Sequence, residues 1–435
     1  MTRKIIKKIL DNGLTVILQE IHSAPIISQW LWYRVGSRNE TIGKTGISHW
    51  CEHMQFKGTK KYPAGMLDRE ISRSGGTWNA FTFMDWTAFF ETMPADKIDL
   101  AVDLESDRMR NCLYLPQEVE SERTVVLSEM EGNENDPAFK LQEAVSKAAF
   151  PNHPYGRDVI GLEKDLLALT RDDLYTYYQT WYQPNNAVLT MAGDFNADEM
   201  MRKIDHAYQN IPSGNIPELT ILPEMPLREE KHVQTHSPAE VPFMRIVWPI
   251  SNGASADIYP ITLLDSILTG PSSLNMFGSG SIGNRTSRLY HPLIESRIAA
   301  GFSGDYITTI DPFLYTVSIY LNAGHQPEEA LHLVDQEIDR ITHDGIPQKE
   351  LEKALKQAHA LFAYSSDSIT NCAYWLGYTE MFDDYTWFDR FVPSLESVTS
   401  AQIQDIIHKY FQKGSRVVGV CIPEPGDLDA EAQDE

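Results

Sequence analysis

Residues 46–59 read GISHWCEHMQFKGT, and within them His49, Glu52 and His53 stand in the order His-x-x-Glu-His. The familiar zinc-helix signature runs the other way, His-Glu-x-x-His. Reversal keeps the geometry. With His49 as origin and a helical turn of 100° per residue, Glu52 falls at about −60° and His53 at about +40°, so all three share one helix face. Ile47, Trp50, Cys51 and Met54 fall on the opposite side, between about 100° and 200°. Such a helix buries an apolar stripe and sends two imidazoles and a carboxylate into one space. Two neutral imidazoles at i and i+4 can converge on one Zn2+, with the neighbouring glutamate acting on water that the metal activates. The plain alternative, hydrogen-bonded helix histidines without metal, is the weaker reading for three such groups on one polar face. Cys51 also sits inside the motif, but its angle makes it a packing residue rather than a reactive thiol.

A catalytic zinc usually has three protein ligands and one open position, so two histidines are not enough. The best third ligand is Glu129, in EVESERTVVLSEMEGNENDP, a segment whose Val119, Val126 and Met130 suit a packed helix. That helix also carries Glu118, Glu120, Glu122 and Glu131, and spacing alone leaves Glu129 one candidate among several. Glu122 lies two turns before Glu129 on the same face, placed to orient a ligand by hydrogen bonding.

The elements that must hold these groups are legible in outline. Alternation predicts strands at Ile5–Leu10 and Leu14–Gln19 around an Asp11-Asn12-Gly13 turn, and another in IISQWLWYRVGS. A helix is predicted over Gly46–Lys57, stopped by Gly58, with a second starting near Ala64. GGTWNAFTFMDWTAFFETMP reads as two strands around a turn near Met84-Asp85, followed by helices at Lys97–Asn111 and from Pro116 to about Asn133. The segment 211–230, IPSGNIPELTILPEMPLREE, reads as a linker.

The second half looks like the first. LTRDDLYTYYQTWYQPNNAVL from Leu169 and VTSAQIQDIIHKYFQKGSRVV from Val398 superpose without a gap, so that Leu174 meets Ile403, Tyr178 meets Ile407 and Val188 meets Val417. Each is a helix, a polar break and an apolar strand. This predicts a duplicated α+β domain. The expected division is an N-terminal domain over 1–213, a linker over 214–230, a homologous domain over 231–425 and an acidic tail over 426–435.

Composition narrows the classes. The 435 residues carry a formal net charge of −24, which argues against nucleic-acid binding, since phosphate contacts need clustered Lys and Arg. Four scattered cysteines without C-x-x-C spacing argue for reduced thiols. The N-terminus lacks an apolar core of signal-peptide length, and no stretch approaches 18 consecutive apolar residues, so neither secretion nor a membrane span is expected and a cytoplasmic location is. Neither G-x-S-x-G nor a phosphate-binding loop is present. His232 and His236 in HVQTH repeat the i, i+4 spacing, but on a segment that reads as a strand start without a nearby acid.

Taken together, DNGLTVIL, GISHWCEHMQFKGT, GGTWNAFTFMDWTAFFETMP, ERTVVLSEM, AVLTMAGDF and SRLYHPLIES resemble the inverzincin peptidases of family M16, the pitrilysin and mitochondrial-processing-peptidase group. The likeness covers nearly the whole chain and points particularly to bacterial subunits of this length. Its most specific part is the helix motif followed, at the family's spacing from the last histidine, by a glutamate, which here is Glu129. The resemblance implies one zinc per chain on His49, His53 and Glu129, Glu52 as general base and Glu122 as the second glutamate of its helix. It implies that Asn79, Ala80, Phe81 and Thr82 form an edge strand that pairs with extended peptide substrates. The fold implied is the LuxS/MPP-like metallohydrolase fold, two homologous α+β domains forming a clam-shell chamber. One departure matters. Members that work as single chains carry an Arg–Tyr pair after the SRLY segment, whereas here Ile294 stands where the arginine is expected and Gly301 or Phe302 where the tyrosine is expected. Arg297 and Tyr306 are near but out of register. The expected protein is therefore the metal-bearing subunit of a heterodimer whose homologous partner supplies Arg–Tyr, or a homodimer; the alternative is a non-catalytic structural or peptide-binding subunit of the same fold.

Overall fold

In the computed structural model, which describes residues 4–238, 241–272 and 283–424, strand β3 (Ile26–Tyr33) is the centre of the first unit. Its sequence IISQWLWY is apolar on both faces, as a strand covered on both sides requires. Ile27, Leu31 and Tyr33 point into one core, against the helices that carry the motif. Trp30 and Trp32 point the other way, with Trp30 stacked 4.3 Å from Phe90 and both rings within 5.3 and 5.5 Å of Tyr374.

Around β3 the strands β1 (Ile5–Ile9), β2 (Thr15–Glu20), β4 (Thr77–Thr82), β5 (Thr87–Pro94) and β6 (Ala187–Gly193) form one sheet in the order β1-β2-β6-β3-β5-β4. The β1–β2 hairpin turns at Gly13, whose φ of +88° is a glycine conformation. Only the β2–β6 pair is parallel, and β4 ends the sheet. Helices α1 (Ile47–Met54), α2 (Met66–Arg73), α3 (Ile98–Asn111) and α4 (Pro116–Glu134) complete the motif-bearing part. α1 is shorter than the sequence predicts. Beyond Met54 the chain makes single turns through Lys57, and Gly58 forms a bridge with Pro63 rather than closing the helix.

The second sheet repeats this scheme. Strands β7 (Lys231–Ser237), β8 (Phe243–Ile250), β9 (Ala299–Tyr306), β10 (Phe313–Leu321) and β11 (Val417–Pro423) lie in the order β7-β11-β8-β10-β9, with β7–β11 parallel. β6 and β11 occupy equivalent places. Each follows a helix, Arg171–Trp181 or Ser400–Tyr410, that starts with a threonine capping box at Thr170 or Thr399, two positions that coincide in the sequence repeat. The fold is mixed α+β in two similar domains, as expected. His232 and His236 lie exposed along β7, where residues four apart are separated by about 13 Å.

Each compact unit draws on both halves of the chain. The first comprises residues 1–131, 157–221 and 366–388; the second comprises 132–156, 222–365 and the chain from 389 on. The segment 211–230 holds neither helix nor strand, and the units change over within it; the acidic tail at 426–435 lies outside the described residues. In the first unit the helix Ile369–Phe382, buried almost all round, covers β3 and β6. In the second the helix Pro137–Ala149 covers β7 and β11.

Candidate metal centre

The motif helix is held from its N-terminus. Gly46 takes φ +83°, and the buried Glu40 carboxylate accepts the N–H groups of Gly46 and Ser48, each at 2.9 Å. Asp165 Oδ2 holds the preceding turn by accepting Gly43 N–H at 3.2 Å, Thr45 N–H at 3.1 Å and the Thr45 hydroxyl at 2.7 Å. Ile47, Trp50, Cys51 and Met54 are buried as the angles require, with the Arg123 guanidinium 4.7 Å over the Trp50 ring. Burial pushes the Cys51 thiol well above its usual range, so it stays protonated and packs.

The opposite face of α1 meets α4. His49 Nε2 lies 3.8 Å from Glu129 Oε1, and His53 Nε2 lies 3.6 Å from Glu129 Oε2. One ligand atom from each of the three residues falls within 4.8 Å of the others. Two ligand atoms of a tetrahedral zinc stand roughly 3.4 Å apart, so this donor set fits one ion with small side-chain movement. Burial, with a smaller effect from His53, lowers the His49 pKa to about 3, which keeps its ring neutral and its lone pair available. His53 Nδ1 lies 2.9 Å from Glu122 Oε1, a contact that fixes the ring and directs Nε2 toward Glu129. Burial lowers the His53 pKa, but Glu122, Glu52 and Glu129 together raise it above the usual value. Lys57 forms an ion pair with the other oxygen of Glu122.

Glu52 is almost fully buried, and its Oε2 accepts the Thr82 hydroxyl at 2.7 Å. Burial raises its pKa, opposed by that hydrogen bond and by His53. The Thr82 side chain therefore ties the edge strand to the carboxylate beside the histidines. Asn79, Ala80, Phe81 and Thr82 all lie on β4, whose only strand partner among the described residues is β5. Sequence reasoning singled out neither Lys57, Glu40 nor Asp165. Lys57 stands four residues beyond His53, a spacing that continues the metal-facing stripe and was the available signal.

In the second unit Ile294 lies in the helical turn His291–Glu295, and Gly301 and Phe302 lie on β9. Arg297 is exposed with φ +63°, and Tyr306 is buried with its hydroxyl against Thr262.

Residues 15–163 match the family model described as insulinase (peptidase family M16), and residues 168–358 match that of the peptidase M16 inactive domain. An uncharacterized zinc protease of Mycobacterium leprae is 25% identical over 425 residues, covering 94% of this chain and 90% of the relative. The mitochondrial-processing peptidase subunit beta of Lentinula edodes is 26% identical over 406 residues, covering 92% of this chain and 83% of the relative. The crystal structure of a protease from Helicobacter pylori superposes with a TM-score of 0.89 at 22% identity, covering 97% of this chain and all of the other. Two family matches in tandem along the chain, on a two-domain fold with the reversed motif on its first helix, make this protein a member of peptidase family M16.

Proposed function

We propose that the chain is a zinc metalloendopeptidase subunit that hydrolyses peptides bound in extended form. The observation that carries the proposal is the convergence of His49, His53 and Glu129 within 4.8 Å, with the buried Glu52 beside them. Several relatives are named zinc proteases. His49, His53 and Glu129 would hold one zinc, which when bound would supply the charge to acidify water and polarise a peptide carbonyl. Glu122 holds the His53 ring in place. Glu52 keeps Oε2 on Thr82 and uses Oε1 to take the proton from the attacking water, then returns it to the leaving amine. The free edge of β4 pairs with the substrate backbone at Asn79–Thr82, so the threonine that orients the base sits on the strand that receives the peptide.

The expected result for Glu52→Gln is zinc bound as in the parent and turnover reduced by about 10²-fold or more. Zinc content by elemental analysis and cleavage of a quenched fluorescent peptide mixture measure the two. A variant retaining more than about a tenth of parental activity removes Glu52 from the role of base. A parent chain that stays free of zinc after reconstitution supports the alternative, a structural or peptide-binding subunit.

Ile294 in the expected arginine position favours a partner chain. The mitochondrial-processing peptidase relative is itself named as a subunit, a beta subunit. We place Arg–Tyr on a homologous partner and expect full activity only in the mixed assembly; full activity of this chain alone overturns the partner requirement. Four buried, reduced cysteines favour the cytoplasm, and among the described residues no helix is long and apolar enough to cross a membrane.

A further inference from the structure

The second unit contains a cavity of about 530 Å³, within the roughly 300–1,000 Å³ typical of small-molecule sites. One wall is the Pro-rich segment 223–227, which carries no secondary structure and stays in place through a clasp. The Glu224 carboxylate accepts the backbone N–H groups of Asn152 at 2.9 Å, His153 at 3.0 Å and Met225 at 3.0 Å. These bonds hold its pKa below the usual value against the opposing effect of burial, so the clasp is charged. Phe150, Pro249, Ile250 and Tyr410 also line it. Phe150 is fixed by stacking on Phe313, with ring centroids 5.6 Å apart and planes within 2°. The wall is thus apolar and rigid.

The charges around it have one dominant sign. Glu224, Asp257 and Asp311 line the cavity, and Lys409 is the one Lys or Arg among the described lining residues. Lys409 is already committed: its ammonium lies 2.7 Å from Asp257 Oδ2, which also accepts the Tyr410 hydroxyl at 2.5 Å. Both bonds fall on Oδ2, which leaves Oδ1 to accept a further donor without breaking them. Burial raises the Asp257 pKa, but Lys409 and Tyr410 bring it below the usual value, so this carboxylate is ionised at neutral pH. Asp311 is paired with His153, whose Nε2 lies 3.1 Å from its Oδ2, and Glu224 is held by its backbone donors. The acceptor offered to a ligand is therefore Asp257 Oδ1, while an anion would find the lining lysine already spent.

We propose that this cavity binds an amphipathic organic cation, its apolar body between Phe150, Met225, Pro249 and Tyr410 and its ammonium on Asp257. The site is independent of the metal centre, and binding to it can be read without any peptidase assay. The test is isothermal titration calorimetry of the full chain with three probes of one shape: 4-phenylbutylammonium, 4-phenylbutanol and 4-phenylbutyrate. The ammonium should bind one site, at least about tenfold tighter than the alcohol, because one charge-assisted hydrogen bond is gained. The carboxylate should not bind. Asp257→Asn should bring the ammonium down to the level of the alcohol and leave the alcohol unchanged. Met225→Lys, at a 65% exposed position where the fold tolerates a lysine, removes the same apolar contact from both probes and should therefore weaken the ammonium more than the alcohol, the difference being the added charge. Equal affinity for ammonium and alcohol, no heat from any probe, or parental ammonium binding in both variants overturns the proposal.

Discussion

His53 illustrates how much a single ring depends on what lies behind it. Its Nδ1 is 2.9 Å from Glu122, and Glu122 is itself paired with Lys57. A glutamine at position 122 keeps an acceptor but removes the charge that makes the imidazole a stronger donor to metal. Glu122→Gln is therefore expected to weaken zinc binding by about 10- to 100-fold while leaving the thermal midpoint of the metal-free chain close to parental. Competition with a chromogenic chelator reads the first quantity, and unchanged zinc affinity would reduce Glu122 to a buried ion-pair partner of Lys57 with no part in metal binding. The shared face of His49, Glu52 and His53 was legible because 100° per residue is fixed by backbone geometry. Glu122 was legible through its seven-residue spacing from Glu129. Glu40 and Asp165 were not, because they reach the motif helix through folds of the chain that no local periodicity encodes.

The motif helix depends on its first turn, and that turn depends on Glu40. Gly46 occupies the capping position in a left-handed conformation, so no side chain at the cap itself accepts the first free N–H groups, and Glu40 does so from six residues upstream. Burial drives the Glu40 pKa from 4.5 up to about 7, against the opposing hydrogen bonds from Ser48 and Gly46. Between those two values the folded chain holds a proton that the unfolded chain has released. Stability contributed by this group is therefore fully present below about pH 4.5 and is lost as pH rises through about 7, at about 1.4 kcal/mol per unit and to a total of about 3 kcal/mol. Glu40→Gln removes the titration. Urea midpoints across this range should show a shallower decline with rising pH in the variant, and parallel profiles would exclude Glu40 as the source. Strands were easier to read than this helix start: β1 and β2 follow from alternation around their turn and β3 and β6 from short apolar runs, whereas the sequence signal for the end of α1, Gly58, marks a bridge to Pro63 instead.

At the scale of the whole chain, the duplication is visible in the sequence and the exchange is not. The repeat that aligns Leu169 with Val398 predicts two similar sheets, and the strand orders agree apart from β1, which has no counterpart in the second sheet among the described residues. Nothing local announces that helix Ile369–Phe382 belongs with the first sheet, although its apolar character on every side demands a site covered all round. The contact is close: a Cβ added at Gly377 would come within 1.9 Å of Trp32 Nε1, and Thr190 donates its hydroxyl to Ala373 O at 2.8 Å. Gly377→Ala should accordingly cost about 1–3 kcal/mol in urea unfolding through overpacking alone. Removing the helix is a larger change, because Trp30 and Trp32 are buried on the face it covers. Residues 1–221 expressed alone should therefore bind a hydrophobic dye, lack near-ultraviolet circular dichroism from fixed tryptophans and unfold without a cooperative transition. Co-expression with residues 222–435 should reverse all three, since the missing cover is then supplied in trans. Cooperative unfolding of 1–221 by itself would mean that the first sheet does not need the exchanged helix, and the two halves would then be separable as folding units as well as in sequence.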